Sequence, residues 1–322
     1  MDIAYSPTRG LIDHFGGEED IRKGVIRCVG DPATRFREDA LRMMRGIRFA
    51  SALGFRIEEE TAAAIHENKE RIPTVSAERI QVELTKLLCG VNVKNVLMDW
   101  WDVLGVVIPE ILPMHGFDQK TPYHIYDVWE HTAVAVSKTP PVTHLRLSAL
   151  LHDIGKPATF FTDEKGIGHF YGHPAVSARM AEEILTRLKY DNVTRRRVVT
   201  LVREHDRIIE EKETAVKRAL SRLTPEVFFN LLIVGDVGIL AHGYRNGVSC
   251  LSLVVEALAV RDYDFWGSGW PVWFLKPCVD VEDHPAAVLV HGDLIVADPS
   301  AVEVLRCKIS RKDSLFHCED LS

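Results

Sequence analysis

Between Asp31 and Gly54 apolar side chains recur at Leu41, Met44, Ile47 and Phe49 while charged ones fill the intervening positions. That 3.6-residue rhythm predicts a helix. Asp31-Pro32 supplies its cap and first turn, and Gly54 its end. The same period predicts helices from about Glu58 to Glu70, from Ser76 to Leu88, and over 93–104. Pro109 and Pro113 then break the pattern, and 114–123 reads as a loop. Helical spacing returns over 126–138, 144–153, 174–189 and 192–205, and again over 212–223 and 225–242. The stretch FFTDEKGIGHFYGH is a glycine-rich excursion between two of these helices. Beyond about 262 the chain turns aromatic, Gly- and Pro-rich, with short Val-rich runs and no helical stripe. The expected class is therefore mostly α: a helical neck and body, a second helical domain, and an irregular C-terminal tail.

Composition narrows this little. Of 322 residues, 46% are hydrophobic and 26% charged, as in ordinary globular domains, and a net charge of −7 argues against bulk binding of a polyanion. Any nucleic-acid surface must be local. Six scattered cysteines without a CxxC pair predict reduced thiols of a cytoplasmic protein. No apolar run approaches the roughly 20 residues of a membrane helix, and no signal peptide is evident.

Three short segments carry chemistry: EHT at 130–132, LLHDIGKP at 150–157 and VREHD at 202–206. A divalent ion takes imidazole nitrogens and carboxylate oxygens from several directions, and packed helix ends can supply them. The predicted ligands are His131, His152, Asp153 and Asp206. A lone His-Asp pair is usually chance, but this one has a histidine on the preceding helix and a second His-Asp pair on a later one. His173 and His205 are additional imidazoles that orient the ligands, hold a second metal or contact phosphate. Gly155 lets the backbone approach a ligand, and Lys156 places a cation for phosphate. Asp153 and Lys156 are the predicted catalytic pair. The expected cofactor is nickel, manganese, iron, cobalt or magnesium, since the donors are nitrogen and oxygen only. His124 and His169 are weaker candidates.

The segments PYHIYDVWEHT, LRLSALLHDIGKP, GHFYGHPAVSA and VTLVREHD together resemble the HD domain of bacterial tRNA nucleotidyltransferases and poly(A) polymerases. Upstream, RFREDALRMMRGIRFASALGF resembles that family's neck helix, and VSAERIQVELTKLL its next helical motif. The resemblance implies that Asp39 and Arg42, in an EDxxR pattern, read a nucleotide base, with Arg45 and Arg48 nearby for phosphates. The i, i+3 spacing would put Asp39 and Arg42 on one helix face, and by residue type alone a solvated charged face explains these positions better than base reading does. The family's catalytic head, with its Gly-Ser turn and DxD aspartates, has no counterpart here. Asp262 and Asp264 have the spacing but not the context.

These readings divide the chain into a head connector (1–30), a helical neck and RNA-binding region (31–113), an HD domain (114–210), a helical segment (211–262) and an unassigned tail (263–322). The expected activity is metal-dependent hydrolysis of RNA-end or nucleotide phosphoesters, such as 2′,3′-cyclic phosphates and 2′-phosphates. The expected partners are RNA, tRNA in particular, and nucleotides. The rival readings are tRNA nucleotidyl transfer with a head supplied in trans, and a non-catalytic RNA-binding remnant.

Overall fold

The computed structural model describes residues 3–8, 10–121 and 125–207, a few positions between 218 and 231, and four strands between 287 and 320. It divides into two compact units, one comprising 1–208 with 220–246, the other 209–219 with 247–322.

The first unit opens with an antiparallel hairpin, β1 (Ile3–Ser6) and β2 (Gly10–Asp13). The Asp13 carboxylate accepts from the backbone N–H groups of Phe15, Gly17 and Glu18, which fixes the start of α1 (Gly17–Lys23). Next, β3 (Val25–Ile26) pairs in parallel with β4 (Arg56–Ile57), so the chain that leaves β3 must return alongside it. That excursion is α2 (Pro32–Glu38) and α3 (Leu41–Leu53). The Asp31 carboxylate accepts from Thr34 N–H at 2.8 Å and Pro32 opens the helix, as the sequence predicts.

The single helix expected from Asp31 to Gly54 is in fact two. Asp39 leaves helical geometry (φ −148°, ψ 102°), and its carboxylate accepts from Leu41 N–H at 3.1 Å and from the Arg79 guanidinium at 3.0 Å. An aspartate that bonds the backbone two residues on competes with the helical ladder. Asp39 and Arg42 therefore do not share a helix face; Asp39 sits at the break. Beyond it, Met43, Met44, Ile47 and Ala50 are buried, and Gly54 (φ 69°) ends the helix in left-handed geometry.

Helix α4 (Glu59–Asn68) starts on Glu58, whose carboxylate accepts from Thr61 N–H. A 3-10 segment, Lys69–Thr74, leads to α5 (Ala77–Leu88). The helix expected over 93–104 also divides, into α6 (Val93–Asp99) and α7 (Trp101–Val107), because Trp100 turns out of helical geometry while its ring stays in the core. A second 3-10 segment, Pro109–Met114, follows. Then come α8 (Val128–Lys138), capped by Asp127, α9 (Thr143–Leu151) and the short α10 (Lys156–Thr159). The glycine-rich excursion is a small antiparallel hairpin, β5 (Phe161–Thr162) and β6 (Gly168–His169). Helix α11 (His173–Arg187) and the Asp191-capped α12 (Asn192–Glu204) complete the described helices.

One hydrophobic cluster runs from Ile26 to Val202, so neck and HD segments share a core. Polar bonds cross it. Trp129 Nε1 donates to Leu97 O at 3.1 Å, and Ser51 Oγ to Leu87 O at 2.6 Å. The buried Arg146 guanidinium donates to Leu88 O at 3.2 Å, closing the C-terminal end of α5. Burial pushes the pKa of that guanidinium down, although it remains a cation.

The helices expected over 212–223 and 225–242 fall largely outside the described residues. In the second unit the tail is not irregular throughout. Strands β7 (Ala287–Val290), β8 (Asp293–Ala297), β9 (Val304–Ile309) and β10 (Phe316–Asp320) form a four-stranded antiparallel sheet in sequence order. The short Val-rich runs suit a strand better than a helix. Among the described residues no helix is long and apolar enough to cross a membrane.

Candidate metal centre

Helix ends converge on one buried point. Helix α8 presents His131 one turn after its Asp127 cap; α9 ends at His152, with Asp153 following; α11 begins at His173; α12 ends with His205 as its C-cap. His131, His152, Asp153 and His173 are all buried. Gly155 holds the turn after Asp153 against α11. A Cβ there would lie 2.7 Å from Ser177 N, and Gly155 N–H donates to Ser177 Oγ at 2.9 Å. The close approach that glycine permits is to helix α11, not to a ligand as expected.

The four imidazoles divide between the two oxygens of Asp153. Facing Oδ2 are His152 Nε2 at 3.1 Å and His131 Nε2 at 3.5 Å, with 3.3 Å between the two nitrogens. Facing Oδ1 are His173 Nε2 at 3.3 Å and His205 Nε2 at 3.6 Å, with 3.1 Å between them. Both triads bring their donor atoms within 4.8 Å of one another.

Hydrogen bonding fixes the tautomers of three of these rings. His152 Nδ1 lies 2.8 Å from Ala149 O, His173 Nδ1 2.9 Å from Phe170 O, and His205 Nδ1 2.7 Å from Val202 O. A carbonyl only accepts, so each Nδ1 carries a proton and each ring turns its Nε2 inward, where a bare Nε2 offers a lone pair to a metal and a protonated one donates to Asp153. Bare lone pairs at such separations repel unless a cation lies between them. The spacing suits a metal: two ligands each about 2.1 Å from one ion lie about 3.0 Å apart at right angles and about 3.4 Å apart at the tetrahedral angle.

Burial alone would push the Asp153 carboxyl up, but the His152 imidazole and the Lys156 ammonium, with hydrogen bonds from His152 and His173, hold it well below the usual carboxylate range. Lys156 Nζ is 2.8 Å from Oδ2 and donates to Gln119 Oε1 at 3.0 Å. Gln119, itself buried, donates on to Tyr126 O. The Phe170 ring lies 5.2 Å from the ammonium.

Asp206, expected as the fourth ligand, is exposed and belongs to neither triad; its neighbour His205 faces Asp153 instead. His205 continues the buried stripe of α12, Val198 and Val202, one turn further on, a periodicity that was readable in the sequence. Gln119 and Phe170 had no such signal, because their loops meet Lys156 only in the folded chain. His124 lies outside the described residues, and His169 pairs with Asp163 at 3.1 Å on the hairpin. In the neck, Arg42 and Arg45 are exposed, whereas Arg48 is half-buried in an ion pair with Glu83 at 2.6 Å.

Comparison with known proteins agrees with both halves of this architecture. The HD domain family matches residues 122–231, and the family described as the probable RNA and SrmB-binding site of polymerase A matches residues 54–112. An A-adding tRNA nucleotidyltransferase of Deinococcus radiodurans is 33% identical over 216 residues, covering 63% of this chain and 49% of the relative. A CC-adding tRNA nucleotidyltransferase of Thermus thermophilus is 33% identical over 234 residues, covering 66% of this chain and 52% of the relative. The chain thus spans about half the length of these two curated relatives. The crystal structure of the Bacillus stearothermophilus CCA-adding enzyme in complex with CTP shares the fold, with a TM-score of 0.51 and 24% identity over 75% of this chain and 54% of that one.

Proposed function

Because the chain belongs to the tRNA nucleotidyltransferase and poly(A) polymerase family, matched in its RNA-binding and HD segments, we propose that it is a metal-dependent phosphohydrolase acting on RNA-end or nucleotide phosphoesters. One observation carries the reading: a buried carboxylate whose two oxygens each face a pair of imidazole Nε2 atoms. His131, His152 and Asp153 would hold one divalent ion, and Asp153, His173 and His205 a second. Four imidazoles against one carboxylate favour nickel, manganese, iron or cobalt over magnesium, which prefers oxygen. A divalent ion bound there supplies Lewis acidity and lowers the pKa of bound water.

The chain's own groups have separable tasks. Asp153, held ionised, accepts hydrogen bonds from an incoming water and orients it. Lys156 cannot ligate a metal while protonated, but as a cation it steadies a phosphate oxygen. The backbone carbonyls of Ala149, Phe170 and Val202 keep the rings from rotating. The exposed Arg42 and Arg45 offer a phosphate-binding face for RNA, such as tRNA.

The relatives' names favour a second reading, in which the chain serves tRNA nucleotidyl transfer together with a catalytic head. The hydrolytic reading is tested by one experiment. Purified protein is incubated with 2′,3′-cyclic AMP or bis-p-nitrophenyl phosphate and each divalent ion in turn. Metal-dependent turnover abolished by chelator is expected. If no ion supports turnover of any phosphoester in a broad panel, the hydrolytic reading fails and an RNA-binding role remains.

A further inference from the structure

The hairpin β5–β6 has two aromatic faces, and only one is used by the core. Strand alternation sends Phe160 and Phe170 inward, where their ring centroids lie 5.4 Å apart and Phe117 packs edge-on against Phe160 at 5.1 Å. The outer face carries Phe161, His169 and Tyr171. Phe161 and His169 are direct cross-strand partners, and Tyr171 lies two residues beyond His169 on the same side. Their centroids form a triangle with sides of 5.3, 5.3 and 5.5 Å. The His169 and Tyr171 rings stack in nearly parallel planes, with an interplanar angle of 20°. Tyr171 is nevertheless 75% exposed and Phe161 45% exposed.

Two exposed rings clustered on a half-buried one, His169, whose Nε2 is held by Asp163, form an unfinished surface, and its chemistry and place narrow its occupant. Every nucleobase offers a flat π-face that stacks on such rings, and the closeness of these rings to the metal centre favours a base of the strand whose phosphate lies there over a protein partner. The platform is also tied to the metal centre. Tyr171 precedes His173 by two residues, a span of at most about 7 Å of extended chain, and Phe170, the residue before Tyr171, supplies the carbonyl that fixes the His173 ring. Gly168 N–H donates to Lys120 O, beside the Gln119 that holds Lys156, so the hairpin is anchored to the phosphate-binding side of the centre.

We propose that the Phe161–His169–Tyr171 face is a stacking platform for an unpaired nucleobase of an RNA strand whose phosphate lies at the metal centre. This rests on the phosphohydrolase reading for the position of the phosphate, but stacking itself needs neither metal nor turnover. Because any base offers a π-face, the platform confers a preference for single-stranded ends over paired ones and little sequence selectivity.

The test measures binding in chelator, where hydrolysis is absent. Two short single-stranded oligoribonucleotides are compared by fluorescence anisotropy, one intact and one with abasic ribose at its terminal positions. The intact strand should bind the wild type more tightly than the abasic one. Tyr171→Ala should weaken the intact strand by roughly 5-fold to 100-fold, the range of one base–aromatic stack, and leave the abasic strand unchanged. Tyr171→Phe, which keeps the ring, should bind like the wild type. Because Tyr171 is largely exposed, the Ala variant should melt with the wild type. An unchanged affinity in Tyr171→Ala overturns the proposal, as does an equal loss for both strands. A change confined to self-association in sedimentation would mark the face as a protein interface and likewise overturn it. These results leave the hydrolytic reading untouched, and failure of turnover leaves this test intact.

Discussion

Lys156→Met probes the electrostatics of the centre without removing any proposed ligand. Lys156 and Asp153 are both buried, with Nζ 2.8 Å from Oδ2. At an effective dielectric of about 20 that separation corresponds to a gross attraction of about 6 kcal/mol. Removing one member of a buried pair typically costs about 3–5 kcal/mol, because the other charge is left behind. His131 and His152 still face the same oxygen, so the lower end, about 3 kcal/mol, applies. For a cooperative unit of this size that is a fall in Tm of roughly 6–12 °C. Thermal melts by circular dichroism at neutral pH in chelator should show it. Adding a divalent ion at 100 times its Kd should stabilise the folded chain by about 2.7 kcal/mol, and the variant should gain at least as much as the wild type because no ammonium competes for Oδ2. If Lys156→Met melts with the wild type in chelator, the buried charge balance described here is wrong.

Three further outcomes follow from the packing. Gly90→Ala would put a Cβ 2.5 Å from the Ser51 carbonyl carbon and 2.6 Å from its oxygen; because backbone cannot yield easily, urea unfolding should show a loss of about 1–3 kcal/mol. Burial pushes the Tyr190 hydroxyl up to about 12, against a smaller opposing effect of its hydrogen bond with Thr85. Its folded pKa exceeds the unfolded one, so its stabilising contribution is complete below pH about 10 and is lost between about 10 and 12. Urea midpoints measured across that range should fall less steeply in Tyr190→Phe. Finally, Arg42→Ala with Arg45→Ala should reduce the salt dependence of RNA binding, the slope of log K against log salt falling by up to about 1.4 for two single-strand phosphate contacts; Arg48→Ala should leave that slope alone and lower Tm through the loss of its Glu83 pair.

What the sequence made legible was local. Asp31-Pro32, Asp127 and Asp191 act within one helical turn, and the structure has a helix starting at each. His131, His152 and Asp153 are brought together with His173 as the motif spacing implied, although holding a metal remains the proposal above. The break at Asp39 was not legible, because an aspartate there suits either a continuous helix or a bond to Leu41 N–H, and the Arg79 guanidinium that also holds its carboxylate lies forty residues away in the chain. The division at Trp100 was hidden for a similar reason: its ring belongs in the core while its backbone leaves the helix. The choice between His205 and Asp206 turned on phase. Adjacent residues at a helix end point about 100° apart, and the buried stripe of α12 selects His205. The tail carried strand-like runs, but no periodic partner to say which of them pair.

The most direct test of the account is metal content after single substitutions. Wild type, His152→Ala, His205→Ala and Asp206→Ala are loaded with nickel, manganese, iron or cobalt, desalted, and analysed for metal per chain, with melts to confirm folding. His152→Ala and His205→Ala should each lose metal relative to the wild type, while Asp206→Ala, whose side chain is exposed and outside both triads, should retain wild-type content. Loss of metal in Asp206→Ala with full retention in His205→Ala would contradict it.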